Sequence, residues 1–198
     1  MRDDRLTDEL VDQIRERDEV AFSTVYQLLA SDLLSFAVGM LRDRGAAEDA
    51  VQQSFLELAR AAPTIRGDAR SLRSWMYRSV RFSCLDEIRR RDRHPEQPVE
   101  TLPEEGSLDD DLLDPELRDA LMDLPVRQRS IVVLRYVVGF SVSEIADIIG
   151  TTRAGVYASS TRAERQLKKS LEAVENPRSP ASVPVNPTSK KPPREEGP

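Results

Sequence analysis

Between Pro95 and Glu116 the chain carries nine carboxylates and four prolines and not one lysine or arginine. Like charges repel along such a segment and there is little apolar surface to bury, so it reads as an extended acidic linker. It divides the 198 residues into two blocks, each needing an apolar core of its own. With 39% hydrophobic but only 5% aromatic residues, those cores suit small helical bundles better than a sandwich or barrel. The organisation expected is all-α: a helical domain over 1–94, the linker over 95–115, a second helical domain over 116–175, and a Pro-, Ser-, Asn- and Lys-rich disordered tail over 176–198.

In the first block, Val20, Phe22, Val25, Tyr26, Leu28, Leu29, Leu33, Leu34, Phe36, Ala37, Met40 and Leu41 recur near helical spacing. Ser31-Asp32 marks a possible bend and Asp43-Arg44-Gly45 a break. The pattern resumes over Ala47 to Ala62 with Ala50, Val51, Phe55, Leu58 and Ala59 inward, and Pro63 ends it. After a polar loop, a helix from about Ser71 to Arg91 carries Leu72, Trp75, Met76, Val80, Cys84, Leu85 and Ile88. This helix and its leading loop are basic, with Arg66, Arg70, Arg73, Arg78, Arg81, Arg89, Arg90, Arg91 and Arg93 outnumbering Asp68, Asp86, Glu87 and Asp92. Trp75, Tyr77 and Phe82 lie among these arginines. Flat faces for unstacked bases beside cations for phosphates are what single-stranded nucleic acid requires. A core role for Trp75, in register with Leu72 and Met76, is the alternative.

The second block reads as a helix-turn-helix. Leu124-Pro125-Val126-Arg127-Gln128-Arg129 opens an apolar helix bearing Ile131, Val132, Leu134, Tyr136 and Val137, and Gly139 suits its end. Ser141 with Glu144 forms a capping-box signature, followed by Ile145, Ala146, Ile148 and Ile149 on one face. Gly150-Thr151-Thr152 supplies the turn, and Thr152 caps a helix from Arg153. Arg153, Arg162, Arg165, Lys168 and Lys169 make that helix locally basic although the whole chain carries a net charge of -6. A packed helical hairpin is the plainer reading of the same pattern.

Other chemistries find little support. Cys84 is the only cysteine and reads as a small buried hydrophobe; His94, the only histidine, sits in a polar loop. Asp109-Asp110-Asp111 lacks the glycine and alternating spacing of a calcium loop. No Gly-rich phosphate loop or nucleophile-histidine pair is present, so neither a catalytic site, a metal nor a cofactor is expected. Neither a signal peptide nor a run approaching membrane-spanning length is expected, which points to a cytoplasmic protein without membrane insertion.

The order of these elements resembles the bacterial RNA polymerase sigma factors of the extracytoplasmic-function (ECF) group. Three pieces carry the resemblance between about Asp18 and Leu171. They are Ala47-Glu48-Asp49-Ala50-Val51-Gln52-Gln53-Ser54-Phe55-Leu56; Trp75 with Asp86 and Arg89-Arg90-Arg91; and Leu124-Pro125 with Gln128-Arg129, Tyr136, Gly139, Glu144-Ile145-Ala146 and Gly150. The resemblance implies a non-catalytic promoter-specificity subunit, monomeric when free. Asp49, Gln52, Gln53 and Phe55 would dock on the clamp coiled coil of the largest subunit of core RNA polymerase. Arg66, Arg70, Arg73, Trp75, Tyr77, Arg78, Arg81, Arg89, Arg90 and Arg91 would melt and hold the minus-10 promoter strand. Thr152, Arg153, Tyr157, Ser159, Arg162 and Arg165 would read minus-35 DNA, and an anti-sigma factor is an expected partner. The chain departs from its relatives at Phe82, where many carry asparagine, and at Gly155-Val156-Tyr157-Ala158-Ser159, where a more cationic run is common. Fewer cations there mean fewer phosphate contacts. A stand-alone helix-turn-helix regulator and a non-transcribing sigma mimic are the rival readings; the first leaves the Gln52-Gln53-Phe55 and Trp75-to-Arg91 elements without a role.

Overall fold

The structure, a computed structural model, describes residues 6–93 and 115–175. The readings of His94, most of the acidic linker with Asp109-Asp110-Asp111, and the tail beyond Glu175 fall outside the described residues. All regular structure among the described residues is helical.

Helix α1 (Asp8–Arg15) starts where the Thr7 hydroxyl accepts the Leu10 N–H at 3.3 Å. Helix α2 (Glu19–Leu41) is capped by Asp18, whose carboxylate accepts the Ala21 N–H at 2.7 Å. It is continuous through Ser31-Asp32, the position read as a possible bend, and the Ser35 hydroxyl donates back to the Ser31 carbonyl at 3.0 Å. The break read at Asp43-Arg44-Gly45 falls one to two residues earlier, at Arg42 and Asp43. One residue, Arg42, takes the left-handed conformation (φ 56°), and Asp43 at once caps α3 (Arg44–Ala61) by accepting the Ala46 N–H at 2.9 Å, so Gly45 lies inside that helix. A 3-10 turn at Ala62–Thr64 holds Pro63, and α4 (Ala69–Arg93) follows.

Val25, Leu29, Leu33 and Phe36 of α2 pack with Ala47, Val51 and Leu58 of α3 and with Leu72, Met76, Val80 and Cys84 of α4. Ala59, expected inward, is exposed; Ser54 takes a buried place by donating its hydroxyl to the Ala50 carbonyl at 2.8 Å. The expectation that no run approaches membrane-spanning length also needs correcting. By length and composition α2 could cross a bilayer, but here its apolar residues form the centre of the N-terminal core.

The C-terminal block comprises α5 (Pro115–Met122), α6 (Val126–Val132), α7 (Val142–Ile149) and α8 (Arg153–Glu175). Helix α6 ends in a π turn, Val133–Val137, with the Val138 N–H reaching the Val133 carbonyl five residues back at 3.1 Å. The extra residue shifts the helical register, so Tyr136 and Val137, expected on the apolar face, emerge 56% and 42% exposed. Gly139 (φ 84°) is left-handed as expected, and the Ser141–Glu144 capping box forms with both reciprocal bonds.

The two blocks are in contact. Val133, Leu134, Phe140, Ile145 and Ile148 join the same core as α2 and α4, while Leu121, Leu124, Val132 and Ala163 make a small second cluster. The Arg129 guanidinium is the polar hub. It donates to the carbonyls of Leu121 (3.0 Å), Met122 (2.7 Å) and Leu124 (3.3 Å), and across to Met40 of α2 (2.7 Å).

Candidate nucleic-acid interface

Helix α4 presents its cations on two faces. Residues spaced by seven return to nearly the same side of a helix, so Trp75, Phe82 and Arg89 form one stripe. Phe82 is 52% exposed with the Arg81 guanidinium 6.0 Å from its ring centre, Arg89 is exposed, and Trp75 is half-buried with one side against the core. Arg66 stands exposed on the loop that enters the helix.

The second face, Arg70, Arg73 and Tyr77 at helical spacing, is turned toward the C-terminal block. Arg70 Nε is 2.9 Å from the Glu144 carboxylate, and the Arg73 guanidinium lies 4.1 Å from the Phe140 ring centre. Tyr77 is fully buried between Phe36 (5.5 Å between ring centres) and Phe140 (4.8 Å, edge-on). Arg78, next to this face, donates to the Asp147 carbonyl at 2.6 Å. Arg81 is buried; desolvation lowers its pKa, and the like charges of Arg127 and Arg89 lower it further. Tyr77 and Arg81 are therefore packed inside in this arrangement rather than open to a strand. Helical periodicity within α4 could not show this for Tyr77, because the rings that enclose it, Phe36 and Phe140, come from elsewhere in the chain.

The arginine run at the end of α4 is also divided. Arg91 bridges to Asp43 at 2.7 Å and to Glu87 at 2.6 Å, tying the end of α4 to the start of α3. Arg90 pairs with Glu87 and Arg89 with Asp86, both at 2.7 Å, yet both arginines stay exposed. The hydrogen bond from Arg90 holds the Glu87 carboxyl below its ordinary value; burial opposes this and the Arg91 bond reinforces it.

On α3, Asp49, Gln52 and Gln53 are exposed and Phe55 is half-buried, its ring 4.8 Å from that of Tyr26. Leu56 is 52% exposed and Tyr26 50%. Sequence reasoning assigned neither to this surface, although Leu56 sits four residues after Gln52 and three after Gln53, on the same helical face. Together they give a polar surface an apolar centre.

The helix-turn-helix is built as its residues suggest. Gly150 is left-handed (φ 71°), and the Thr152 hydroxyl accepts the Gly155 N–H at 3.0 Å to start α8. A Cβ on Gly155 would lie 2.8 Å from the Thr151 hydroxyl, so the turn packs tightly against the helix it precedes. Arg153 donates to the Ser143 hydroxyl at 3.0 Å. Tyr157 is 56% exposed, Arg162 and Arg165 are exposed, and Ser159 is half-buried. Two further arginines border this surface. Arg127 donates to the Thr151 hydroxyl at 2.6 Å, and the Arg135 guanidinium lies 5.2 Å from the Tyr136 ring centre and 5.9 Å from that of Tyr157. Neither could be placed beside the turn without knowing how α6 packs.

Comparison with known proteins connects these surfaces. Residues 25–94 match the sigma-70 region 2 family and residues 115–167 match sigma-70 region 4. The ECF RNA polymerase sigma factor SigM of Mycobacterium tuberculosis is 32% identical over 158 residues, covering 78% of this chain and 79% of SigM. The chain belongs to the ECF RNA polymerase sigma factors.

SigX of Bacillus subtilis, also an ECF sigma factor, is 23% identical over 167 residues, covering 78% of this chain and 85% of SigX. In fold, this sigma factor is similar to RpoE in its complex with the anti-sigma factor NepR from Bartonella quintana (TM-score 0.61, 22% identity, 76% of this chain and 96% of that one). It is similar also to CnrH in complex with the cytosolic domain of CnrY (TM-score 0.62, 21% identity, 83% and 96%). As an ECF sigma factor the chain directs transcription initiation with RNA polymerase and belongs to a family without catalytic chemistry of its own.

Proposed function

We propose that the N-terminal domain holds the melted minus-10 strand along the Trp75–Phe82–Arg89 stripe of α4, with Arg66 and Arg90 on phosphates. Arg70, Arg73, Tyr77, Arg78 and Arg81 join that surface once the C-terminal domain leaves it. Strand melting then follows from capture of unpaired bases, each stacked base contributing about 1–3 kcal/mol, without nucleotide hydrolysis. The observation that carries this reading is the exposed Phe82 ring within a row of guanidinium groups. Arg91 serves chiefly to hold α4 to α3.

Asp49, Gln52, Gln53, Phe55 and Leu56 form the surface for the clamp coiled coil of the polymerase largest subunit. Thr152, Arg153, Tyr157 and Ser159 face the minus-35 major groove, with Arg162 and Arg165 on phosphates; the exposure of Arg153, Tyr157, Arg162 and Arg165 supports this. An anti-sigma factor controls the free protein, which is a cytoplasmic monomer, and the likeness to the sigma factor RpoE in its complex with the anti-sigma factor NepR supports that control.

Run-off transcription with purified core polymerase on a promoter library tests the reading. Transcripts should depend on this protein and fall sharply with Phe82→Ala and with Arg89→Ala/Arg90→Ala. Arg91 is left intact so that loss of its bridge to Asp43 does not masquerade as lost DNA contact. Duplex binding without polymerase-dependent transcripts would overturn the proposal.

A further inference from the structure

The segment that leads into α4 is gripped by α1, a helix lying ahead of the region 2 match, which begins at residue 25. Helix α1 docks on the core through Val11 and Ile14, both fully buried. Its polar residues reach elsewhere. Arg15 Nε donates to the Ile65 carbonyl at 2.9 Å and Nη2 to the Gly67 carbonyl, partners 50 and 52 residues on, while Nη1 donates to Asp12. At the other end of α1 the Asp8 carboxylate accepts the N–H of Ala69, the first residue of α4, at 2.9 Å. Seven residues apart, Asp8 and Arg15 share one face of α1 and stand about 10 Å apart along it. The carboxylate takes an N–H and the guanidinium takes carbonyls, so each charge meets the end of the backbone dipole that it attracts. The segment has few holds of its own. Of residues 65–68 only Ile65 is buried, its N–H bonded back to the Ala62 carbonyl at 3.3 Å; Arg66, Gly67 and Asp68 are exposed. Asp68 accepts the Ser71 N–H at 2.8 Å, which secures the start of α4 but not the chain before it. Gly67 is left-handed (φ 95°), and a Cβ there would lie 2.4 Å from the Ser71 hydroxyl oxygen, so the position is confined to glycine and carries its freedom.

This segment stands at the end of the strand path. Asp68 lies seven residues before Trp75, as Trp75 lies seven before Phe82, so the segment continues that stripe, with Arg66 exposed upon it. Drawing the Ile65 and Gly67 carbonyls to Arg15 keeps two partial negative charges away from a surface meant for phosphates. We propose that Arg15 and Asp8 are positioning residues for promoter recognition: they touch no DNA, but by fixing residues 65–69 they set which bases are accepted at that end of the minus-10 strand and how tightly the strand is held. The inference rests on the minus-10 reading above. A guanidinium is needed at position 15, because its planar fork reaches two carbonyls at once where an ammonium is a single point charge. Once the segment is freed, a competent fraction of about one tenth weakens the apparent affinity about tenfold.

The test uses holoenzyme assembled from the full chain and core polymerase. Arg15→Ala should bind a single-stranded minus-10 oligonucleotide about tenfold more weakly than the parent. Its transcripts from a library randomised across the minus-10 element should show a broadened base preference confined to the bases at the loop. Arg15→Lys should fall between the two. Leu29→Ala, a cavity in the core of α2, is the structural comparison: it should lower stability and keep the parent's base preference. In the chain without polymerase, amide exchange at Ile65 and Ala69 should quicken in Arg15→Ala while the core of α2 exchanges as in the parent. An unchanged base preference in Arg15→Ala, or the same broadening in Leu29→Ala, would overturn the proposal, because the role would then be structural alone. Unchanged exchange would overturn it at its source, since the segment would be fixed without α1. Should Arg15→Ala fail to fold, Asp8→Ala carries the same expectations through the Ala69 N–H. Phe82→Ala separates the two readings. If it too leaves strand binding intact, the minus-10 assignment has failed; loss with Phe82→Ala but not with Arg15→Ala sinks the positioning role alone.

Discussion

Replacing Arg129 with methionine should destabilise the protein severely although the residue touches no proposed ligand. The guanidinium is buried and bonds to four backbone carbonyls, three closing the α5–α6 corner and one on α2. Methionine preserves the stem and its packing but removes the guanidinium donor from all four; the Leu121 carbonyl keeps the Leu124 N–H at 3.2 Å. Each orphaned buried acceptor costs about 1–3 kcal/mol. The Leu124 bond is long at 3.3 Å and the Met122 bond only partly buried, so these two contribute least. Desolvation of the guanidinium, which lowers its pKa, is a cost that methionine removes. The net loss comes to about 3 kcal/mol. With a urea slope of about 2 kcal/mol/M, the unfolding midpoint should fall by about 1.5 M. Arg129→Lys should recover only part of this, because an ammonium cannot reproduce the planar fork. A midpoint shift below about 0.5 M for Arg129→Met would show that the carbonyls find water and that the hub reasoning is wrong.

Ser141→Ala removes the cap on α7 and one anchor of Glu144, and should cost about 1 kcal/mol in denaturant melts. Gly150→Ala meets no atom within 4 Å of its Cβ, so its cost, about 1 kcal/mol, comes from the left-handed backbone alone, and Gly150→Asn should lose less. Folding depresses the Glu87 pKa below its ordinary 4.5, so the stability it contributes is present above that value and is lost as pH falls through the lower, folded value. Stability measured between about pH 5 and 3 should therefore decline less steeply for Glu87→Gln than for the parent. The Cys84 thiol is fully buried and its pKa is pushed up to about 12, so disulfide reagents at neutral pH should modify it only as the protein unfolds. Rapid modification of the native protein would contradict that burial.

Much of the local architecture was written in short-range chemistry. The Ser141–Glu144 box, the left-handed Gly139 and Gly150 and the Thr152 cap each depend on atoms within a few residues, and each appears where the sequence places it. The misreadings have equally local causes. The π turn after Val132 shifted the register of Tyr136 and Val137, and the break read at Asp43-Arg44-Gly45 is made by Arg42 and Asp43. Leu56 was legible by its spacing from Gln52 and Gln53. Arg127 and Arg135 were not, because their places beside α8 depend on how α6 packs.

By itself, then, the sequence determined the all-helical class, the acidic division of the chain, the helix-turn-helix and the inventory of basic and aromatic residues. All of these follow from periodicity, capping and charge along the chain. Tertiary structure alone decided which arginines are held by groups far away in sequence. Arg70, Arg78 and Arg129 are partnered by groups 74, 69 and 89 residues away in sequence. No periodicity specifies a contact at such separations; it arises from the apolar faces of α2, α4, α6 and α7 being buried together, and that burial turns two helical units into one closed body.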